Sequence, residues 1–259
     1  MFAHNNERTD YYKMAVYTAK RVNRFLDLPV TVITDNETLY TSGATEYSFD
    51  KKIIIEADKS NIRNKSTWIN KGRYGVYDLS PYDETLVLDT DYMINSMKLL
   101  DTFDQPSDFV CYQNSKYLGL ENTPNEIMSA QSLSIYWATV MRFTKTNRTR
   151  DIFKMVEMVQ NNYEHYSNLH KFMPFQYRND YALTIALRTI NGHLDNLQDA
   201  IPGRLIHIGS NAWVERIDDV TYNVKSDTIV NGNPRHQYIQ LRDYDFHMLA
   251  KDNFMEVIA

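Results

Sequence analysis

Residues 84–95, ETLVLDTDYMIN, admit few folds. Leu86, Val87 and Leu88 form a short unbroken apolar run, as a strand does when a parallel sheet buries both its faces. The run stops at two carboxylates, Asp89 and Asp91, with only Thr90 between them. Side chains two apart on an extended chain share a face, so both acids are expected to project together from the strand's carboxyl end. That edge is where open α/β sheets take their ligands. Two hard oxygen ligands there suit Mg²⁺ or Mn²⁺, which can neutralise the phosphates of a nucleotide. The tripeptide alone is as consistent with an ordinary turn, and its place behind a buried strand is what singles it out.

A chain of 259 residues accommodates one large α/β domain, and no linker, repeat or low-complexity segment divides it. With a net charge of −5, no overall basic field draws it to nucleic acid or an anionic membrane, although a local basic stripe is enough to track a DNA backbone. The single cysteine, Cys111, has no internal disulfide partner and lies in the apolar run FVCY, where a buried inert thiol is expected. The first residues hold no apolar signal core, and no later stretch has the length of a membrane span. A cytoplasmic location, with no membrane contact and no protein partner, is the expectation. Neither a G-x-G-x-x-G nor a Walker sequence is present, and no Cys/His zinc spacing either.

The pattern predicts a strand tail at Met1–His4. A long helix follows, capped near Thr9 or Asp10 and ended by Pro29, with Met14, Ala15, Thr18, Val22, Phe25 and Leu26 at helical spacing. Strands are expected at PVTVITD, closing on Asp35, and at residues 53–56. A basic, aromatic segment comes next, helical from Thr67 to Leu79 and stopped by Ser80-Pro81. Beyond the LVLDTD strand the pattern gives a short helix over 97–103, a strand at 109–113, a loop at 116–124 and a strand at 137–144. Two helices follow: one with Ile152, Met155, Val156, Val159 and Tyr163 as its apolar face, and one running from Asn179 as cap to Gly192. A strand at 205–208, an irregular polar stretch from Gly209 to Arg235 with a turn at 231–234, a strand at 236–241 and a final helix over 245–257 complete the chain. Strands alternate with helices over about the first 100 residues and mix afterwards, which predicts an α/β architecture with a partly antiparallel second half.

Four further groups can carry chemistry. On a helix, His247 and Lys251 in DYDFHMLAKDN share a face; a neutral imidazole there can complete the metal site of Asp89 and Asp91, and the lysine offers a point charge to a phosphate. Standing alone they are capping and surface residues. The basic cluster Arg63, Lys65, Lys71 and Arg73 precedes the acidic strand; Lys71 and Arg73, nearest to it, are placed to stabilise a departing diphosphate, whereas Lys65 reads as solvated. Asn179 and Asp180 open a helix, either as stabilising first-turn residues or as hydrogen-bonding and basic groups toward an acceptor hydroxyl. Phe2, Ala3, His4, Asn5 and Tyr11 line the first strand-to-helix turn and Asp35 ends the next strand, the edges where a base and ribose lie in a doubly wound sheet. Thr90, between the two acids, joins them as a nucleotide contact. A metal-dependent phosphohydrolase or nuclease also uses paired acids, but needs further carboxylates, of which Asp35 is the obvious one. A nucleotide-sugar binder without catalysis is a third reading.

Taken together, the nucleotide-binding first half, the strand ending in Asp-x-Asp, the Asn-Asp helix start and the late His247-x-x-x-Lys251 resemble the GT-A glycosyltransferases, in the order of the glycogenin-like retaining branch. FAHNNE and NKGRYGVYDLSPYDETLVLDTDYM are also similar to segments of GT-A proteins encoded by tailed bacteriophages. The resemblance implies a Rossmann-like mixed central sheet flanked by helices, in a single catalytic domain over 1–259. Residues 1–95 would bind the nucleotide and 96–259 the acceptor. It assigns Mn²⁺ or Mg²⁺ to Asp89, Asp91 and His247 and the diphosphate of a UDP-sugar to Lys251. Met248, Leu249 and Ala250 stand where the family has a glycine and an aromatic, and Arg178-Asn179-Asp180 matches its Asp-Gln-Asp motif only in part. The implied reaction is transfer of a glucosyl or arabinosyl group to a hydroxyl, with a saccharide, a protein or 5-hydroxymethylcytosine in phage DNA as acceptor. For the DNA acceptor the location is the host cytoplasm, and the aromatic stretch 209–238, with Trp213, Tyr222, Arg235, His236 and Tyr238, would meet an extruded base. The sugar, the stereochemistry and the oligomeric state are not encoded in any motif.

Overall fold

A computed structural model of the chain describes every residue except 64, 119–126, 130–131, 175, 195–197 and 231–232, and only the backbone of 63, 228–230 and 233–235. The first helix, α1 (Tyr11–Leu26), starts where its cap predicts: the Asp10 side chain accepts the Lys13 N–H at 2.9 Å. It ends ahead of Pro29, on Asp27 in the left-handed region (φ 52°), whose N–H bonds back to Val22. Ala15, Ala19, Val22 and Leu26 enter the main core. Met14 enters a smaller core with Met93, Ile208, Tyr222, Phe246 and Phe254. The same helix grips the acidic loop. Thr18 Oγ1 donates to the Thr90 carbonyl at 2.7 Å, and the buried Arg21 donates to the Ile94 carbonyl at 2.8 Å and the Asn95 side chain at 2.5 Å.

Next come β1 (Thr31–Thr34), α2 (Asn36–Thr41) and β2 (Lys51–Ile54), with β1 and β2 parallel and Phe2 bridged in parallel to Ile33. A short antiparallel pair, β3 (Ile62–Arg63) and β4 (Ser66–Thr67), begins the basic segment. The helix expected from Thr67 to Leu79 forms only at its end, as a 3₁₀ turn at Arg73–Gly75 and α3 (Val76–Leu79). Gly72, at φ 83°, takes a conformation that no helix continues through.

The acidic strand is β5 (Glu84–Leu88), followed by β6 (Tyr92–Met93), β7 (Phe109–Tyr112), β8 (Ser115–Leu118) and β9 (Trp137–Thr144). Val87 and Leu88 are buried as their run predicts, but β5 lies antiparallel to β9, which pairs with β7 on its other side. The expected parallel environment is therefore corrected: the apolar run is buried at Val87 and Leu88 and half-buried at Leu86, within antiparallel pairing. Residues 116–118 belong to β8 rather than a loop, and 119–124 of that expected loop lie outside the described residues. The short helix expected at 97–103 is a 3₁₀ turn at Lys98–Thr102.

The second half holds α4 (Asn147–Asn161), α5 (Tyr163–His170), α6 (Asn179–Ile190), β10 (Leu205–Ile208), β11 (Ala212–Arg216), β12 (Thr221–Val230), β13 (Asn233–Arg242), β14 (Phe246–Met248) and α7 (Lys251–Val257). Two expectations fail here. The stretch 209–235 is an ordered antiparallel sheet, β11-β12-β13, whose inward residues Val214, Tyr222 and Val224 alternate with exposed ones; residues 231–232 of its expected turn lie outside the described set. The final helix over 245–257 is instead a strand followed by a short helix. β14 inserts between β6 and β10, and β10 pairs with β8, giving the order β6-β14-β10-β8. The protein is a mixed α/β fold, as expected, with several hydrogen-bonded sheets and helices among the described residues. Among the described residues no helix is long and apolar enough to cross a membrane.

Candidate metal and substrate site

The acidic loop and the last strand meet. Because β14 pairs with β6 in the register His247↔Tyr92, and the Met248 N–H donates to the Asp91 carbonyl at 3.0 Å, the imidazole of His247 is brought to the carboxylate of Asp91. His247 Nε2 lies 3.2 Å from Asp91 Oδ1. Ligand atoms of Asp89, Asp91 and His247 all fall within 4.8 Å of one another, so two hard oxygens and one imidazole nitrogen can hold a single divalent cation. Both acids are also paired with cations of the chain itself. Arg73 Nη2 is 2.6 Å from Asp89 Oδ1, and the Lys251 ammonium, at the first residue of α7, contacts Asp91 Oδ2. His247 and Lys251 reach the site from a strand and the helix after it, not from one helical face.

Burial sets the protonation of this wall. It lowers the Lys251 ammonium to about 7, against the raising pull of Asp89. The His247 ring is also lowered by burial, with Asp89 and Asp180 opposing. A neutral imidazole is what a metal ligand requires.

A cavity of about 480 Å³ opens on these groups. Asp89, Thr90, Asp91, Arg73, His247 and Lys251 line it. So do Phe2, His4 and Tyr11 from the first turn, and Asn179 and Asp180 from the start of α6. Four expected residues lie elsewhere. Ala3 is fully buried and hydrogen-bonded into β1; Asn5 accepts the Tyr12 N–H at 3.0 Å; the half-buried Lys71 donates to Ser60 at 2.7 Å. Asp35 caps α2 through the Thr38 N–H at 2.7 Å and accepts from the His4 ring at 2.7 Å. Burial opposes its ionisation, but these bonds outweigh burial and hold it below the usual carboxylate range. Asp180 is engaged at both oxygens, by the Ala138 N–H at 3.0 Å and by Arg178 at 3.2 Å, and Asn179 donates to the Asn70 carbonyl at 3.1 Å. A smaller groove of about 130 Å³ between β1 and β5 has a mainly apolar lining.

Sequence reasoning missed the aromatic wall of the cavity, formed by Tyr117, Trp137, Tyr177 and His207. Tyr117 stacks on His207 with ring centroids 4.4 Å apart, and Trp137 tilts against it at 4.6 Å. The available signal was His207 itself, a polar residue inside the apolar strand LIHI.

No family model matches the chain, and no curated protein matches it in sequence. Among solved structures it is similar to the glycosyltransferase GlyE in Streptococcus pneumoniae TIGR4, at 11% identity and a TM-score of 0.45, over 78% of this chain and 44% of that one. At that identity and score the likeness does not identify a family.

Proposed function

We propose that the protein is a metal-dependent glycosyltransferase that moves a sugar from a nucleoside diphosphate, UDP first among them, to an acceptor hydroxyl. The observation that carries this reading is the meeting of Asp89, Asp91 and Arg73 with the sequence-distant His247 and Lys251 in one cavity. A nuclease of the two-metal kind needs more carboxylates than this set holds. The expected extra acid, Asp35, is spent on His4 and the α2 cap.

Asp89, Asp91 and His247 would hold Mn²⁺ or Mg²⁺, whose charge would be shared with the α and β phosphates of the donor. The nitrogen in the set favours Mn²⁺ over the more strictly oxygen-seeking Mg²⁺. Arg73 and Lys251, the present counter-ions of the two acids, are placed to turn to phosphate oxygens once a divalent cation takes their role, and so stabilise the departing diphosphate. Phe2, His4 and Tyr11 form the base and ribose side. Asp180, held at both oxygens, acts on the acceptor side as a fixed negative charge beside the reacting sugar carbon, with Asn179 next to it. The Tyr117, Trp137 and Tyr177 wall offers flat faces to an acceptor, whether a saccharide or an extruded 5-hydroxymethylcytosine.

The test is UDP release from UDP-sugars with and without Mn²⁺, offering hydroxymethylated DNA and simple saccharides as acceptors in parallel. Metal-dependent release that disappears in Asp91→Asn supports the assignment. Release that persists in the Asp89→Asn, Asp91→Asn double variant overturns it, and phosphodiester cleavage without any sugar restores the nuclease.

A further inference from the structure

The metal ligand has a partner of its own. β10 and β14 run parallel in the register His207↔His247, so the two rings stand side by side, with the Nδ1 atoms 3.0 Å apart. One nitrogen must donate and the other accept, because a neutral imidazole carries a single N–H. Packing fixes the His207 ring on two sides, with Tyr117 on β8 as its cross-strand neighbour and Trp137 at the start of β9.

The tautomers then follow from what His247 Nε2 faces. Toward the acceptor-only carboxylate of Asp91, 3.2 Å away, Nε2 carries the proton. Its Nδ1 is then an acceptor, His207 donates from Nδ1, and His207 Nε2 is left with a lone pair. When His247 Nε2 serves as a metal ligand it must present its own lone pair, and every position inverts. His247 donates from Nδ1, His207 accepts at Nδ1, and His207 Nε2 carries a hydrogen. The count balances. The His207 Nδ1 proton passes to His247 Nδ1, the His247 Nε2 proton leaves to solvent, and His207 Nε2 takes one from solvent, so both rings stay neutral throughout.

His207 and Trp137 both line the cavity. Neither His207 Nε2 nor Trp137 Nε1, both buried, has a hydrogen-bond partner among the described residues. A buried N–H without an acceptor is costly, and such groups commonly mark where a ligand completes the structure.

We propose that His207 is the positioning residue of the metal site and the output of a tautomeric relay. It holds His247 in the ligating tautomer, and in doing so turns its own Nε2 from acceptor to donor, so that with Trp137 Nε1–H it receives a hydroxyl or phosphoryl oxygen of the substrate only when the metal site is filled. The inference rests on the metal assignment to Asp89, Asp91 and His247. It goes beyond that assignment by making substrate recognition on the aromatic wall conditional on it.

The wild-type full chain, labelled with ¹⁵N-histidine, tests it through two-bond ¹H–¹⁵N spectra, with Zn²⁺ as a diamagnetic probe. The His207 and His247 signals are assigned by single substitutions. The expected result is a paired switch on Zn²⁺ addition, His247 from Nε2–H to Nδ1–H and His207 from Nδ1–H to Nε2–H, absent in Asp91→Asn. A switch at His247 with His207 unchanged overturns the relay and leaves the metal site standing. No response at either ring overturns the metal assignment and the relay together. As a second measurement, His207→Phe keeps the packing against Tyr117 and Trp137 but removes the acceptor, and is expected to weaken Mn²⁺ binding about tenfold or more. Unchanged Mn²⁺ affinity in a folded His207→Phe protein refutes the positioning role.

Discussion

The two walls of the cavity solve the problem of buried polarity in opposite ways. On the acidic wall both acids are compensated by the chain itself, Asp89 by Arg73 and Asp91 by Lys251. On the aromatic wall Trp137 Nε1, Tyr177 Oη and His207 Nε2 are buried with no partner among the described residues. An isolated buried charge is far more costly than an isolated buried hydroxyl or N–H, so a protein can leave the second kind waiting for a ligand but not the first. On the proposed reading the acidic wall must therefore exchange partners when a metal and donor bind, whereas the aromatic wall only gains them.

The largest expected effect comes from breaking the compensated wall at its centre. Asp91→Asn removes one proposed metal ligand, the carboxylate paired with Lys251 and the nearest acid to His247 Nε2. Metal-dependent UDP release is expected to fall about a hundredfold or more, since a bound cation stabilises the departing charge by several kcal/mol. A titration of rate against Mn²⁺ checks it, and a loss restored at high Mn²⁺ would assign the effect to affinity rather than to the chemical step. Next in size is Lys251→Met. Removing one member of a buried pair costs about 3 kcal/mol, because the remaining carboxylate stays uncompensated. Mn²⁺ can replace the lost charge, so the rise in melting temperature on adding Mn²⁺ is expected to be larger in Lys251→Met than in wild type. An equal rise in both would show that the lysine and the metal do not share Asp91.

The parts of this contrast differed in how legible they were. The acidic loop could be read because its chemistry is local: an apolar run closed by two acids. α1 with its Asp10 cap, β9 over Trp137–Thr144 and the apolar run of α6 were readable for the same reason, although Asn179, expected as the cap of α6, is its first helical residue, with Arg178 in the cap position and no side-chain cap bond. The aromatic wall is assembled by pairing between distant strands. Tyr117, His207 and His247 become neighbours only through the order β8-β10-β14, which no local pattern specifies. The same limit hid the antiparallel partner of β5. The sheet over 212–242 was obscured differently, because its outward residues Lys225, Asp227 and His236 gave a half-buried sheet the look of a polar loop, although Val214, Tyr222 and Val224 keep the period of two. Of the stretch once expected to meet a DNA base, Tyr222 is fully buried, while Trp213, Lys225 and Tyr238 form one exposed cross-strand row.

A smaller effect sharpens the uncompensated wall. Tyr177→Phe deletes a buried hydroxyl that has no partner among the described residues and leaves the ring in place. Freeing the protein of that unsatisfied group is expected to raise stability by about 1 kcal/mol, while the KM for substrate rises, a pairing opposite to that of an ordinary structural tyrosine. Urea denaturation and steady-state kinetics on one preparation give both numbers. Lower stability with unchanged KM would move Tyr177 from the ligand site to the scaffold.

The smallest effect is expected at Asp35, where the sequence places a ribose contact and the structure places a helix cap. Its carboxylate is engaged by the Thr38 N–H, the Thr38 hydroxyl and the His4 ring, and these bonds hold it below the usual carboxylate range in spite of burial. A carboxyl whose folded pKa is depressed contributes stability above its unfolded pKa and loses it as pH falls through the folded one. Asp35→Ala is therefore expected to cost about 1 kcal/mol at neutral pH, the usual value of a cap, and the difference from wild type should shrink as acid protonates Asp35 in the parent. Paired urea titrations at neutral and acidic pH read this directly. His4, which does line the cavity, would lose its fixed orientation in the variant, so a rise in donor KM is expected to accompany the loss of stability. If KM rises with stability intact, Asp35 itself touches the nucleotide. If stability falls and KM does not move, His4 is not part of the base side at all.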